Sequence, residues 1–160
     1  MRTGLGIDTH RFAEGRKLIL GGVEIPHTAG LDGHSDADVL AHAITDAVLG
    51  AAGMGDIGTH FPDTDPEWEG ADSIGLLREI VRRVGAEGWT VAHVDATVVM
   101  ERPKLAPHRE RIAARLADAL GSTVSVKATT GEGMGFVGRE EGVAALAVAT
   151  LTLTSHGSPI

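Results

Sequence analysis

The 160-residue chain contains no cysteine and no tyrosine. Disulfides and thiolate metal sites are thereby excluded, and a reducing compartment fits. Aromatic residues are scarce at 3 %, confined to Phe12, Phe61, Trp68, Trp89 and Phe136, so the core has to be aliphatic. No apolar stretch is long enough to span a membrane, and the opening M-R-T-G-L-G-I-D-T-H carries no apolar run of the signal-peptide kind. The expectation is a cytoplasmic protein with no membrane partner. A basic face is missing as well. The 14 Lys and Arg stand against 22 Asp and Glu, for a formal net charge of -8, which argues against nucleic acid as a partner. An acidic total does not exclude a phosphorylated ligand, because a metal ion or a helix end can reverse the field at one site.

The hydrophobic fraction of 42 % is that of an ordinary globular protein. The length favours one domain over residues 1–160, with 155–160 as a frayed tail. Residues 3–9 read as a strand, and L-I-L-G-G-V-E-I-P at 18–26 as a hairpin turning at Gly21-Gly22. Residues 30–33 read as loop. A helix is expected over 35–52, with Ser35 as N-cap, Asp38 completing an acidic relative of the capping box, and Gly53 and Gly55 ending it. Residues 55–71 form a Gly/Pro/Asp-rich loop, long enough to suggest a function. Helical spacing recurs over 72–87 and 107–120; strands are expected at 89–100, 123–129 and 142–153. This mixture lacks a βαβ rhythm. It predicts an α+β fold, a mixed sheet with helices packed on one face. The last strand is apolar on both sides, so the other face needs a cover, and self-association through the sheet supplies one.

The stretch H-S-D-A-D-V-L-A-H-A-I-T-D, His34 to Asp46, puts two histidines and three aspartates on an otherwise apolar helix. Asp8 and His10 lie two apart on the first strand and so share a face. With His42 as third ligand they would hold a divalent ion and leave a fourth position open, the mark of a catalytic zinc that acts as a Lewis acid. The alternative is a half-buried histidine satisfied by hydrogen bonds alone. Asp38 and Asp46 flank His42 at i±4 and either orient its second ring nitrogen or are solvated. His27, His60, His93, His108 and His156 show no partner spacing and read as surface or hydrogen-bonded residues.

The segment K-A-T-T-G-E-G-M-G-F-V-G-R-E-E-G, Lys127 to Gly142, satisfies G-x-G-x-x-G. A dinucleotide fingerprint is rejected, because the residues after Gly138 are strand-like and too few for a βαβ unit; a G-K-[ST] is missing too. Two readings remain. One is a flexible bulged hairpin. The other is a backbone cradle for phosphate with Thr129, Thr130 and Glu132, the carboxylate holding Mg²⁺. Phe136, an aromatic in such a loop, is expected to pack on something.

Taken together, G-x-D-T-H, H-S-D-A-D-V-L-A-H-A-I-T-D, G-D-I-G-T-H-F-P-D-T-D-P, E-R-P-K-L and K-A-T-T-G-E-x-x-G-F-x-G-R-x-E-G resemble, in order, the 2-C-methyl-D-erythritol 2,4-cyclodiphosphate synthase family of the non-mevalonate isoprenoid pathway. The resemblance runs from about residue 2 to 153. It implies that Asp8, His10 and His42 bind Zn²⁺ or another divalent cation, and that His34 and Ser35 meet a phosphate at the helix start, where backbone N–H groups and the dipole favour an anion. Asp56, Ile57 and Gly58, then Phe61, Pro62, Asp63, Thr64 and Asp65, would hold the methylerythritol portion. Met100, Pro103, Lys104, Leu105 and Ala106 would form the cytidine pocket. Thr129, Thr130, Gly131 and Glu132 would complete the phosphate site, with Glu132 on Mg²⁺ or Mn²⁺. The resemblance further implies a homotrimer with active sites between subunits. Its central cavity, lined by Phe136, Arg139 and Glu141, can hold an isoprenoid diphosphate.

The implied reaction is metal-assisted closure of 4-diphosphocytidyl-2-C-methyl-D-erythritol 2-phosphate to the cyclic diphosphate with release of CMP, a phosphorus–oxygen lyase activity. His34 and Thr130 would act as catalytic residues, stabilising charge on phosphorus. The alternatives are a zinc-dependent phosphoester hydrolase and a non-catalytic trimeric module that binds isoprenoid diphosphates.

Overall fold

The computed structural model describes residues 1–62, 64–68 and 70–154. The first strand, β1 (Arg2–Glu14), is followed by β2 (Leu18–Leu20), β3 (Val23–Ile25) and β4 (Ala29–Leu31). Then come α1 (Val39–Ala52), α2 (Ile57–His60), a 3-10 turn at Pro66–Trp68 and α3 (Ser73–Ala86). Next are β5 (Trp89–Val99), a second 3-10 turn at Ala106–His108, α4 (Arg109–Leu120), β6 (Thr123–Thr129), α5 (Gly135–Gly138) and β7 (Gly142–Leu153). The main sheet has the order β4-β1-β7-β5-β6; β5 and β6 run parallel, and every other neighbouring pair runs antiparallel. The helices cover one face, so the expected mixed sheet with one-sided helices is what forms. The hairpin at Gly21-Gly22 forms its own two-stranded unit, β2–β3. Among the described residues, no helix is long and apolar enough to cross a membrane.

The two faces of β1 do different work because its side chains alternate. Gly4, Gly6, Asp8 and His10 face the helices, whereas Leu5 and Ile7 are 62 % and 55 % exposed on the other side. The glycines let α1 come very close. A Cβ on Gly6 would stand 1.9 Å from the carbonyl oxygen of Ala43, and one on Gly4 would stand 2.2 Å from that of Ala47. On β7 the inward positions facing α1 are also small, Ala145, Ala147 and Ala149, all buried. Ile44, Leu49, Ile74, Leu77, Ile80, Ile112 and Leu116 complete an aliphatic core between helices and sheet. The uncovered face carries a contiguous stripe, since Leu5 pairs with Val148 and Ile7 with Leu146.

The start of α1 departs from expectation. Ser35 is not its N-cap. Ala37 adopts a left-handed φ of 56° and breaks the chain out of helix, so α1 begins after Asp38. Asp38 is fully buried and caps Ala41 N while also accepting the N–H groups of Gly21 and Gly22 at 2.9 and 2.7 Å. One carboxylate therefore ties the hairpin turn to the helix start. Burial pushes the Asp38 carboxyl up to about 6, against the pull of its three backbone N–H donors. The predicted loop at 30–33 overlaps β4, which pairs with residues 12–14 of a longer β1.

Replacing Gly6 by alanine should lever α1 off β1. We expect a loss of roughly 1–3 kcal/mol or more, the usual scale of overpacking, read from the urea unfolding midpoint; an unchanged midpoint would mean that the close approach is not needed.

Candidate metal centre and phosphate cleft

Beyond the two glycines, the same face of β1 presents Asp8 and His10 to the N-terminal half of α1, where His42 projects. Asp8 Oδ2 lies 2.9 Å from His10 Nε2 and 3.1 Å from His42 Nδ1, and the two ring nitrogens are 3.3 Å apart. These three form the one His/Cys/Asp/Glu group among the described residues with metal-site spacing. A tetrahedral dication with bonds of about 2.0–2.1 Å spaces its ligands by about 3.3–3.4 Å, close to the observed triangle. The donor set fits in a second way. The His10 Nδ1–H donates to the carbonyl of Asp32 at 2.5 Å, which leaves the Nε2 lone pair facing the Asp8 carboxylate. Acceptors turned toward one another need a cation between them, whether a metal ion or a proton.

In the metal-free protein a proton on His10, facing Asp8, plays that part. Burial pushes the Asp8 carboxyl up, but hydrogen bonds and charge from His10 and His42 outweigh it and bring it down to about 2. The hydrogen bond to Asp8 raises His10 above its usual 6.5, against partial burial. The other nitrogen of His42, Nε2, meets Ser73 Oγ at 2.9 Å and Ser35 Oγ at 3.2 Å. The carboxylates at i±4 do not serve it. Asp38 is committed to backbone N–H groups, and Asp46, half-buried and raised by that burial, accepts the N–H of Ile57 at 2.8 Å.

The triad sits in a cleft of about 320 Å³, lined also by His34, Ser35, Ile57, Gly58, Phe61, Trp68 and Leu76. Asp46 and Gly33 complete the wall. His34 and Ser35 thus stand beside the triad, and not at the helix start where they were expected. The first turn of α1 is already capped by Asp38, so the helix dipole does not account for an anion site there. The loop 33–35 is held instead by Arg16, whose guanidinium donates to the carbonyls of Gly33 and Ser35, both at 2.7 Å. Asp56 is the exposed N-cap of α2, lowered by hydrogen bonds from Thr59. Phe61 is buried, edge-on to Trp68, and the Arg83 guanidinium lies 5.1 Å from its ring centre. Pro62 and Thr64 are exposed and Asp65 is half-buried; Asp63 lies outside the described residues.

None of the remaining predicted site residues lines this cleft. Pro103 and Lys104 line a second cavity, of about 410 Å³, with His27, Glu101 and Arg102, while Met100 and Leu105 are buried in the core and Ala106 opens the 3-10 turn. Thr129 and Gly131 adjoin that segment, through Met100 N–H to Thr129 O at 3.0 Å and Gly131 N–H to Glu101 Oε2 at 2.9 Å. Thr130 donates to the exposed Glu132 at 3.1 Å. The Gly-rich segment folds into α5 rather than a plain hairpin, and Phe136, 41 % exposed, lines a third cavity with residues 9–12 and 140–142. Arg139 is paired with Glu141 at 3.0 Å. Sequence reasoning missed Ser73, Arg16, the Asp32 carbonyl, Leu76 and Trp68. Only Trp68 carried a usable signal, as one of the few aromatics, set in a Pro/Asp-rich loop.

A family model described as the YgbB family matches residues 1–152. The 2-C-methyl-D-erythritol 2,4-cyclodiphosphate synthase of Salinibacter ruber is 60 % identical over 154 residues, covering 94 % of this chain and 98 % of that protein. The bifunctional enzyme IspD/IspF of Anaeromyxobacter dehalogenans is 64 % identical over 152 residues, which are 93 % of this chain but only 39 % of that protein, so the chain spans about two fifths of such relatives. A solved 2C-methyl-D-erythritol-2,4-cyclodiphosphate synthase in its CDP-bound form superposes with a TM-score of 0.87 at 41 % identity, covering 94 % of this chain and 100 % of that one.

The paired shifts at Asp8 and His10 set a pH window for the metal-free protein. Asp8, lowered from 3.8, contributes stability that is present above 3.8 and lost as pH falls through about 2. His10, raised from 6.5, contributes stability that is full below 6.5 and lost as pH rises through its raised value. The stability difference between the parent and Asp8→Asn, measured by urea unfolding with chelator present, should be largest between pH 3.8 and 6.5 and shrink on both sides. A difference that is flat across pH would refute the coupling.

Proposed function

Because the chain belongs to the YgbB family, we propose that it converts 4-diphosphocytidyl-2-C-methyl-D-erythritol 2-phosphate to 2-C-methyl-D-erythritol 2,4-cyclodiphosphate and CMP. The observation that carries this reading is the convergence of Asp8, His10 and His42 within 3.3 Å at the wall of a cleft, in a chain matched over its length by synthases of that name. The hydrolase and the non-catalytic module find no support in those relatives.

Bond making and breaking balance within the substrate. An oxygen of its 2-phosphate bonds to the β-phosphorus; the bond from that phosphorus to the bridging oxygen breaks, and CMP leaves with the electron pair. The nucleophile is already an anion, so no strong general base is required. The obstacles are repulsion between phosphates and the entropy of closing the ring. Zn²⁺ on Asp8, His10 and His42, and Mg²⁺ or Mn²⁺ on the diphosphate with Glu132, would supply charge neutralisation, the main help available to phosphoryl transfer.

The chain's own residues do the holding. Ile57, Phe61, Trp68 and Leu76 enclose the apolar part of the substrate and exclude water, and Asp56 and Gly58 take its hydroxyls. His34 and Ser35 contact phosphate from the loop that Arg16 fixes. Thr130 stabilises charge on phosphorus from the second group of residues, and Pro103, Lys104 and their neighbours receive the cytidine. Holding both ends near attack geometry is worth up to roughly 7–11 kcal/mol in well-oriented intramolecular reactions.

This reading includes a homotrimer in a cytoplasmic setting. Two observations support the trimer. The metal cleft and the cavity lined by Pro103 and Lys104 share no residue within one chain, and Leu5, Ile7, Leu146 and Val148 form an exposed apolar stripe that a second copy would cover. Phe136, Arg139 and Glu141 would then line the central cavity where an isoprenoid diphosphate is held.

Purified protein given the cytidine substrate, zinc and magnesium should release CMP and the cyclic diphosphate in equal amounts. His42→Ala should lose activity by at least about a hundredfold while keeping its oligomer by light scattering. A ring-opened product, or full activity of His42→Ala without bound zinc, would contradict the reading.

A further inference from the structure

We propose that Ser73, backed by Asp36, is a positioning residue that sets the ring tautomer of His42 for metal binding. The inference rests on the reading that Asp8, His10 and His42 hold a dication. Ser73 is the first residue of α3 and is 1 % exposed, an unusual place for a hydroxyl unless it has partners. It has two. Its Oγ lies 2.5 Å from Asp36 Oδ1, and its backbone N–H donates to Asp36 Oδ2 at 3.1 Å. Its Oγ also lies 2.9 Å from His42 Nε2.

The direction of these bonds is set by the donor and acceptor inventory. An ionised carboxylate only accepts, so the Ser73 hydroxyl hydrogen points to Asp36. The lone pairs of Oγ are then what His42 Nε2 meets, and Nε2 must carry the ring hydrogen. Nδ1 is left bare, aimed at Asp8 Oδ2 and His10 Nε2. Ser35 Oγ, 3.2 Å from the same Nε2, accepts the N–H of Ala37 at 3.2 Å and keeps a second lone pair for the Nε2 hydrogen. The pattern is a carboxylate–histidine–metal relay with a serine hydroxyl inserted between carboxylate and imidazole.

The relay also joins two segments of the cleft. Gly70 N–H donates to His34 O at 3.1 Å and Asp36 N–H to Ala71 O at 3.3 Å, so the chain entering α3 is zipped to the loop bearing His34 and Ser35. Ser73 closes that zipper onto the metal ligand. The step of chain that fixes the start of α3 therefore fixes His42 as well.

The test compares Zn²⁺ affinity, by competition with a chromophoric chelator, with the His42 tautomer, read from imidazole ¹⁵N shifts of the metal-free protein. Ser73→Ala should bind Zn²⁺ roughly 10–100-fold more weakly and lose the preference for hydrogen on Nε2, and Ser73→Thr, which keeps the hydroxyl, should restore both. Asp36→Asn, whose amide can donate to Ser73 and free the hydroxyl hydrogen to turn toward His42, should weaken binding in the same sense. It also serves if Ser73→Ala does not fold. Affinity within twofold of the parent with the tautomer unchanged, in Ser73→Ala or in Asp36→Asn, overturns the proposal. A parent protein that binds no Zn²⁺ at the triad refutes instead the functional reading beneath it.

Discussion

The close approach of α1 to β1 is the constraint on which the site is built. With backbone against backbone at Gly4 and Gly6, the helix lies near enough for His42 to reach the carboxylate of Asp8 at 3.1 Å and the ring of His10 at 3.3 Å. A period-two strand places the two glycines and the two ligands on one face in succession. The residues that admit the helix therefore lead directly to the residues that receive its histidine. The alanines of β7 extend the same shallow bed under α1, and the buried Asp38 pins the helix start to the hairpin turn. Packing and chemistry share one geometry: any side chain that lifted the helix would also separate the ligands.

This arrangement reconciles an acidic chain with the anionic substrate proposed for it. A formal charge of -8 repels phosphate in bulk, but field strength at a cleft is set by the nearest charges. The cleft gathers lone pairs that call for a cation, and its loop is held by an arginine acting on backbone carbonyls rather than on the ligand. The sheet divides the labour further. Its helical side carries the ligands and the aliphatic core, and its bare side carries the stripe of Leu5, Ile7, Leu146 and Val148.

Much of this was legible in the residues. Alternation and helical spacing located every long strand and helix, and the D-x-H pair with His42 predicted the triad, because period two on a strand and one histidine on an apolar helix are local signals. What escaped was determined by partners far away in the chain. Ser35 looked like a cap, but the left-handed Ala37 and the contacts of Asp38 with Gly21 and Gly22 moved the helix start by several residues. Asp46 and Asp38 had the right spacing to support His42, yet their oxygens went to backbone N–H groups, and the partner proved to be Ser73, 31 residues on. A serine at the head of an ordinary amphipathic helix carries no mark of such a role. The segments at 100–106 and 129–132 were recognisable by motif, but that Pro103 and Lys104 line a cavity other than the triad's is a product of tertiary structure alone.

X-ray absorption at the zinc edge, on protein loaded with one equivalent of zinc, bears on the whole account with the fewest assumptions. The account requires a first shell of about four nitrogen and oxygen atoms at about 2.0–2.1 Å with outer-shell scattering from two imidazoles. A six-coordinate, all-oxygen shell without imidazole scattering would mean that strand and helix do not grip the ion together, and would contradict it.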